Sequence, residues 1–179
     1  QAYRDVTNEF NQKGYAHIAM LPADCSEGWY NYNWNYVGSG FLWYGVKQPI
    51  IERFSDVWSA NNEQYFWELS SALHANNTEQ LSNIFMKYDI KWLLIDENLE
   101  HCSNFNGFSQ QKLLIDRLTS SNQFQLIFET DKGVEKPIRI LENTQHSNYN
   151  FISSSSVTKV STTRTWMLED TLFASKKSY

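Results

Sequence analysis

Between Trp29 and Tyr44 the chain reads WYNYNWNYVGSGFLWY, and Tyr30, Tyr32, Trp34 and Tyr36 alternate there with Asn31, Asn33 and Asn35. If this run is extended, successive side chains point to opposite faces, so the rings line one face and the amides the other. Flat aromatic faces beside amide donors and acceptors suit sugars, whose C–H faces are apolar and whose equatorial hydroxyls hydrogen-bond. Trp29, Tyr30, Tyr32, Trp34, Tyr36 and Trp43 are therefore the candidate contact residues for a glycan or a partner. The simpler reading is that these rings cover the edge of a small core or dock onto a neighbouring structure. An exposed aromatic face of this size marks an interaction surface in either case.

Asp96 and Glu97 are the best-placed carboxylates, because they directly follow the apolar run Ile90–Ile95. Ligands of open α/β sheets bind outside the carboxyl ends of the strands. The plainer reading makes them solvated loop residues or a helix cap, and no second converging group suggests a mechanism. Other chemistry-bearing patterns are missing: there is no GxSxG elbow, no HExxH, no P-loop and no GxGxxG. Gly38-Ser39-Gly40 reads as a small-residue turn, and no Asp-x-Asp pair offers oxygen ligands to a divalent ion. His17, His74, His101 and His146 are scattered, and His17, in a predicted strand, reads as a satisfied histidine rather than a base. Cys25 and Cys102 stand too far apart for a CxxC pair and are too few for a zinc site. They are either one disulfide or two ordinary thiols. Asn76-Asn77-Thr78 fits a glycosylation acceptor but is more simply a helix break. Neither a cofactor nor a metal is implied.

At 179 residues the chain suits one domain with an appendage and can bury a real core. A net charge of −5 argues against a nucleic-acid or anionic-membrane surface, since either needs a basic patch. No run of about 18 apolar residues exists to span a bilayer. The chain opens at Gln1 with no methionine and no signal pattern, so it is expected to be a piece of something longer.

The elements that must hold these residues are legible from periodicity. Residues 1–14 read as a short helix or a lead-in, ending at Gly14, and Tyr15–Leu21 as the first core strand, closed by Pro22. Residues 23–47 form a long aromatic loop, and Ile50-Ile51 is a second short strand or an extended crossing. Tyr65, Phe66, Leu69 and Leu73 form one helical stripe, and Leu81, Ile84, Phe85 and Tyr88 another, with a break at Ala75–Asn77. After a hinge at Asp89, Ile90–Ile95 carries only Lys91 as a charge, which suits a strand covered on both faces. Residues 96–108 read as loop, Ser109 starts a helix with Leu114, Ile115 and Leu118 inward, and 123–129 pairs with 138–141 around Asp131-Lys132-Gly133. The predicted fold is α/β: a small mixed sheet with packed helices, a Rossmann-like βαβ core and a C-terminal β-hairpin. Strands 15–21 and 90–95 are predicted to be parallel neighbours. Their following loops then leave the same end of the sheet, which would bring Cys25 and Cys102 close enough for a disulfide. The α/β domain is expected over 1–143, and the Ser/Thr-rich extension 144–179 is a linker or the edge strands of a following module.

Four segments also carry a family resemblance: GYAHIAMLPAD (14–24), YGVKQPIIERFS (44–55), LSNIFMKYDIKWLLIDENL (81–99) and PIRILENTQ (137–145). Together they resemble the soluble extracytoplasmic domain of polytopic membrane proteins of the GT-C glycosyltransferase-like group, which includes the YfhO-type proteins. Met86-Lys87-Tyr88-Asp89-Ile90-Lys91-Trp92 is similar to that family's run of leucine-rich helix, Lys-Tyr-Gly-Val-Lys-Tyr, apolar strand and Asp. The strand ending in Leu-Pro and the late strand ending in Glu142-Asn143 also fit. The resemblance covers about residues 14–145 and rests on structural motifs. It implies a location on the extracytoplasmic face of a membrane, periplasmic or cell-surface. It also implies a membrane-embedded portion of the same polypeptide as partner, and a supporting or glycan-contacting role toward a glycan or lipid-linked sugar. The family's catalytic acidic residues lie in loops between membrane helices, so none is carried over to this chain.

Overall fold

The computed structural model describes residues 1–22, 30–38, 40–52, 59–99 and 108–146. Its elements are α1 (Ala2–Gln12), β1 (His17–Leu21), β2 (Tyr30–Asn31), β3 (Val37–Gly38), β4 (Ile50–Ile51), α2 (Ala60–His74), α3 (Thr78–Lys87), β5 (Ile90–Asp96), α4 (Phe108–Ser120), β6 (Phe124–Thr130) and β7 (Ile138–Asn143). Five strands form one sheet in the order β4-β1-β5-β7-β6. β1 runs parallel to both β4 and β5, whereas β7 is antiparallel to β5 and to β6. The sheet is thus mixed, with a parallel half and an antiparallel hairpin, as the sequence predicts.

Alternation along the central strands explains why they read as unbroken apolar runs. Ala19 and Leu21 of β1, and Leu93 and Ile95 of β5, pack with α2, α3 and α4. Ile18 and Met20, with Trp92 and Leu94, pack on the other face against Ala2, Val6 and Phe10 of α1 and the aromatic segment. Strands buried on both faces have no solvent side to mark with polar residues. β6 behaves differently: as an edge strand it leaves Gln125 and Leu126 exposed.

Local signals set the helix ends. Ser59 caps α2 by accepting from Asn62 N, and Asn77 caps α3 by accepting from Gln80 N, at 3.3 and 3.0 Å. Asn76 and Asp89 take the left-handed conformation at φ 51° and 54°, which short polar side chains tolerate. That single reversal at Asp89 turns α3 into β5. Thr144 N still donates to Gln123 O at 2.8 Å, and His146 Nε2 donates to Asp89 Oδ1 at 2.8 Å. Residues 144–146 therefore close onto the domain, and the linker-or-strand question for the rest of the extension lies outside the described residues.

Candidate functional site

Three chain segments meet at the C-terminal edge of the parallel strands: the start of α1, the β2–β3 hairpin, and the turn that follows β5. The aromatic run is not one extended strand. It extends for Tyr30–Asn31, reverses through Tyr32–Asn35, and returns as Val37–Gly38. Asn35 N donates to Tyr32 O and Tyr32 N donates to Tyr36 O, both at 2.9 Å, while Asn35 adopts φ 63°. The strict separation of rings from amides expected of an extended run is therefore replaced by a turn. The turn itself gathers Tyr32, Trp34 and Tyr36, with centroids 5.2 to 5.8 Å apart.

Two further rings complete the cluster. Tyr3 of α1 meets Tyr32 edge-on at 5.8 Å and Phe41 edge-on at 4.8 Å. Sequence alone does not mark either: Tyr3 lies 27 residues before Tyr30, and Phe41 stands outside the ring–amide alternation. The Trp34 indole N–H donates to the Tyr3 hydroxyl at 3.3 Å, which pins one edge of the ring. Trp34 also stacks on Tyr36 at 5.3 Å with 29° between the planes. Glycines permit this packing: a Cβ on Gly38 would overlap the Tyr36 phenol, and one on Gly40, at φ 94°, would press on the Tyr30 ring at 3.3 Å.

Exposure divides the candidates. Tyr30 and Tyr32 are buried, Tyr36 and Trp43 are half-buried, and Trp34 is 44% exposed. Asn31 and Asn33 are half-buried and Asn35 is exposed, so amides do border the ring. Tyr30 serves the core, donating to the buried carboxylate of Glu52 at the end of β4. Trp29, Cys25 and Cys102 lie outside the described residues.

Beneath the hairpin stands Asp96. It is the last residue of β5 and fully buried, not a solvated loop residue or helix cap, because Tyr3, Tyr32 and the turn after it cover the strand end. Its Oδ1 accepts from Asn98 N at 3.1 Å and Asn98 Nδ2 at 2.9 Å. Among the described residues no hydrogen bond of ordinary geometry reaches Oδ2, although the Tyr3 hydroxyl stands close to the carboxyl. Burial pushes the Asp96 pKa up, against the lowering effect of Asn98 and Tyr3. The same burial, with the Asp96 charge next in weight, pushes the Tyr3 and Tyr32 phenols up. Tyr32 and Asp96 are thus both buried at this strand end and raise each other's cost of ionisation.

Glu97 points elsewhere. Its Oε1 pairs with Arg139 Nη1 and its Oε2 with Lys112 Nζ, both at 3.2 Å, so it ties β7 to α4. Neighbours in sequence, Asp96 and Glu97 do not converge as a pair.

The residue that organises the edge is Asn98, which is fully buried. Its Nδ2 also donates to Lys136 O at 2.8 Å, its Oδ1 accepts from Lys136 N at 2.9 Å, and its backbone O accepts from Asn33 N at 2.9 Å. One side chain and one carbonyl join β5, the β6–β7 connection and the aromatic hairpin. The signal was Asp-x-Asn after a strand, the pattern of a side chain that accepts from the backbone two residues on.

Among the described residues no group of three or more His, Cys, Asp or Glu could hold a metal ion, and no helix is long and apolar enough to cross a membrane. No protein-family model and no curated protein matches the chain. Among solved structures, the chain is similar to the C-terminal globular domain of an oligosaccharyltransferase from Archaeoglobus fulgidus, with 11% identity and a TM-score of 0.42. That similarity covers 80% of this chain and 97% of the other.

Proposed function

We propose that this chain is an extracytoplasmic, non-catalytic domain of a GT-C glycosyltransferase-like membrane protein of the YfhO type, and that the aromatic hairpin is its glycan-contacting surface. The observation that carries the reading is Trp34: a rigidly backed, part-exposed indole between amide side chains. Its edge is fixed by the Tyr3 hydroxyl and its ring by Tyr36, so little ordering remains when a sugar ring lands on it. The exposed part of the indole matches the apolar C–H face of a pyranose, and the exposed Asn35 is next to it in sequence for the hydroxyls, whereas the Asn33 amide already donates to Glu135 Oε2 at 2.9 Å. Asp96 and Glu97 serve the scaffold here, one binding Asn98 and the other Arg139 and Lys112. The family placement rests on the sequence segments 14–24, 44–55, 81–99 and 137–145.

The test is an NMR titration of the domain with a panel of neutral oligosaccharides, following the Trp34 indole N–H and the side-chain amides of Asn31, Asn33 and Asn35. Saturable shifts at these signals support the reading, and silence across the panel contradicts it. A second reading, docking to a protein partner through the same region, is favoured by Val37 and Tyr44, which are 63% and 91% exposed.

A further inference from the structure

At the opposite, N-terminal edge of the parallel strands lies an open cavity of about 460 Å³, whose lining includes His17, Pro49, Ile51, Asn61, Lys87 and Asp89. That volume falls within the range of about 300–1,000 Å³ typical of small-molecule sites. The edge is built by strand starts: His17 opens β1, Ile50 opens β4 and Asp89 precedes β5. We propose that this cavity is a binding site for a neutral pyranose. The proposal concerns a different edge from the aromatic hairpin and does not rest on it.

Three features select the ligand class. First, Pro49 and the half-buried Ile51 supply apolar surface for the C–H face of a sugar ring, while Ile50 turns to the opposite face of the sheet. Second, the charged groups already have partners. Lys87 Nζ lies 2.5 Å from Oε1 of the fully buried Glu68, and Asp89 Oδ1 lies 2.8 Å from His146 Nε2. A phosphate or nucleotide would need an unmatched cation, and among the described lining residues the lysine, Lys87, is held by an anion. Third, the polar rim offers both directions of hydrogen bonding. His17 Nδ1 donates to Tyr88 O at 2.8 Å, since a carbonyl only accepts, so in the neutral ring Nε2 is the acceptor. The exposed Asn61, in the first turn of α2, brings an amide that both donates and accepts. A ring with one apolar face and a girdle of hydroxyls satisfies all three.

The experiment is a 1H–15N NMR titration of the full chain with neutral methyl pyranosides, and separately with inorganic phosphate. Saturable shifts at His17, Ile51, Asn61 and Asp89 with a pyranoside are expected, and none with phosphate. Asn61→Ala should weaken that binding about three- to tenfold, the loss of roughly one neutral hydrogen bond. Asn61→Trp, which fills the mouth from an exposed position, should abolish it, whereas Trp34→Ala should leave it unchanged. Phosphate moving these signals in place of pyranosides, shifts that do not saturate, or binding unaffected by Asn61→Trp would each overturn the proposal. Shifts confined to the Trp34 hairpin would overturn it while leaving the hairpin reading intact.

Discussion

Asn98 Nδ2 lies 2.9 Å from Asp96 Oδ1, and that bond joins the end of the central strand to a residue that also holds two other segments. Through Asn98 the β6–β7 connection and the aromatic hairpin are both fastened to β5. Replacing Asn98 by Ala removes the amide from a fully buried position and leaves Lys136 N and Asp96 Oδ1 each short of a partner. The expected cost is about 2–4 kcal/mol. Urea denaturation checks the stability, and broadening of the Trp34 indole signal checks that the hairpin loosens.

Asp96 gives a pH dependence whose sign is fixed by the direction of its shift. Its folded-state pKa is raised by burial, so the folded protein holds the proton more tightly than the unfolded chain. Stability is then greatest at low pH as far as this group is concerned, and falls as pH climbs from about 4 through the raised value. Asp96→Asn keeps an acceptor for Asn98 and removes the buried charge. The variant is expected to melt a few degrees higher at neutral pH and to show a flatter dependence of Tm on pH. Equal pH profiles in the two proteins would contradict this.

Gly38 sets how closely the hairpin can fold over the cluster. A Cβ there would overlap the Tyr36 phenol, so Gly38→Ala must push the ring out of its packing. Overpacking of this kind costs about 1–3 kcal/mol. The loss should appear in Tm and in a changed near-ultraviolet circular dichroism band.

Leu94 lies at the centre of the sheet, paired with Met20 on β1 and Ile140 on β7, and is 1% exposed. Leu94→Asp puts an unpaired charge where no water reaches, at a cost of several kcal/mol, comparable to the whole stability of a domain. Collapse of NMR signal dispersion is the expected result.

What was legible in the sequence follows from period and punctuation. Ile90–Ile95 announced a doubly covered strand because only one charge interrupts it, and Asp131-Lys132-Gly133 announced the hairpin because Gly133 can take φ 78°. The parallel pairing of β1 with β5 followed from a helix-hinge-strand pattern. The site was harder to read. Alternation of rings and amides suggests a pleat, but one asparagine in the left-handed region, Asn35, converts the run into a turn, and single-residue reversals leave no periodic trace. Burial of Asp96 was invisible for a similar reason: what covers it, Tyr3 and Tyr32, lies 93 and 64 residues away along the chain. Asn98 makes its contacts across 38 and 65 residues, distances that no local pattern encodes.

The central claim, that the hairpin offers Trp34 to a sugar, is tested most directly by comparing glycan affinity in the wild type with Trp34→Ala. Stacking on one indole is worth about 1–1.5 kcal/mol, so the substitution should weaken binding about five- to tenfold, with the native fold retained by NMR at the cost of a lower melting temperature from the lost contacts to Tyr32 and Tyr36. Wild-type affinity should itself be modest, with saturation in the millimolar range. An affinity unaltered by Trp34→Ala, or tight metal-dependent binding of a nucleotide sugar, would contradict the account.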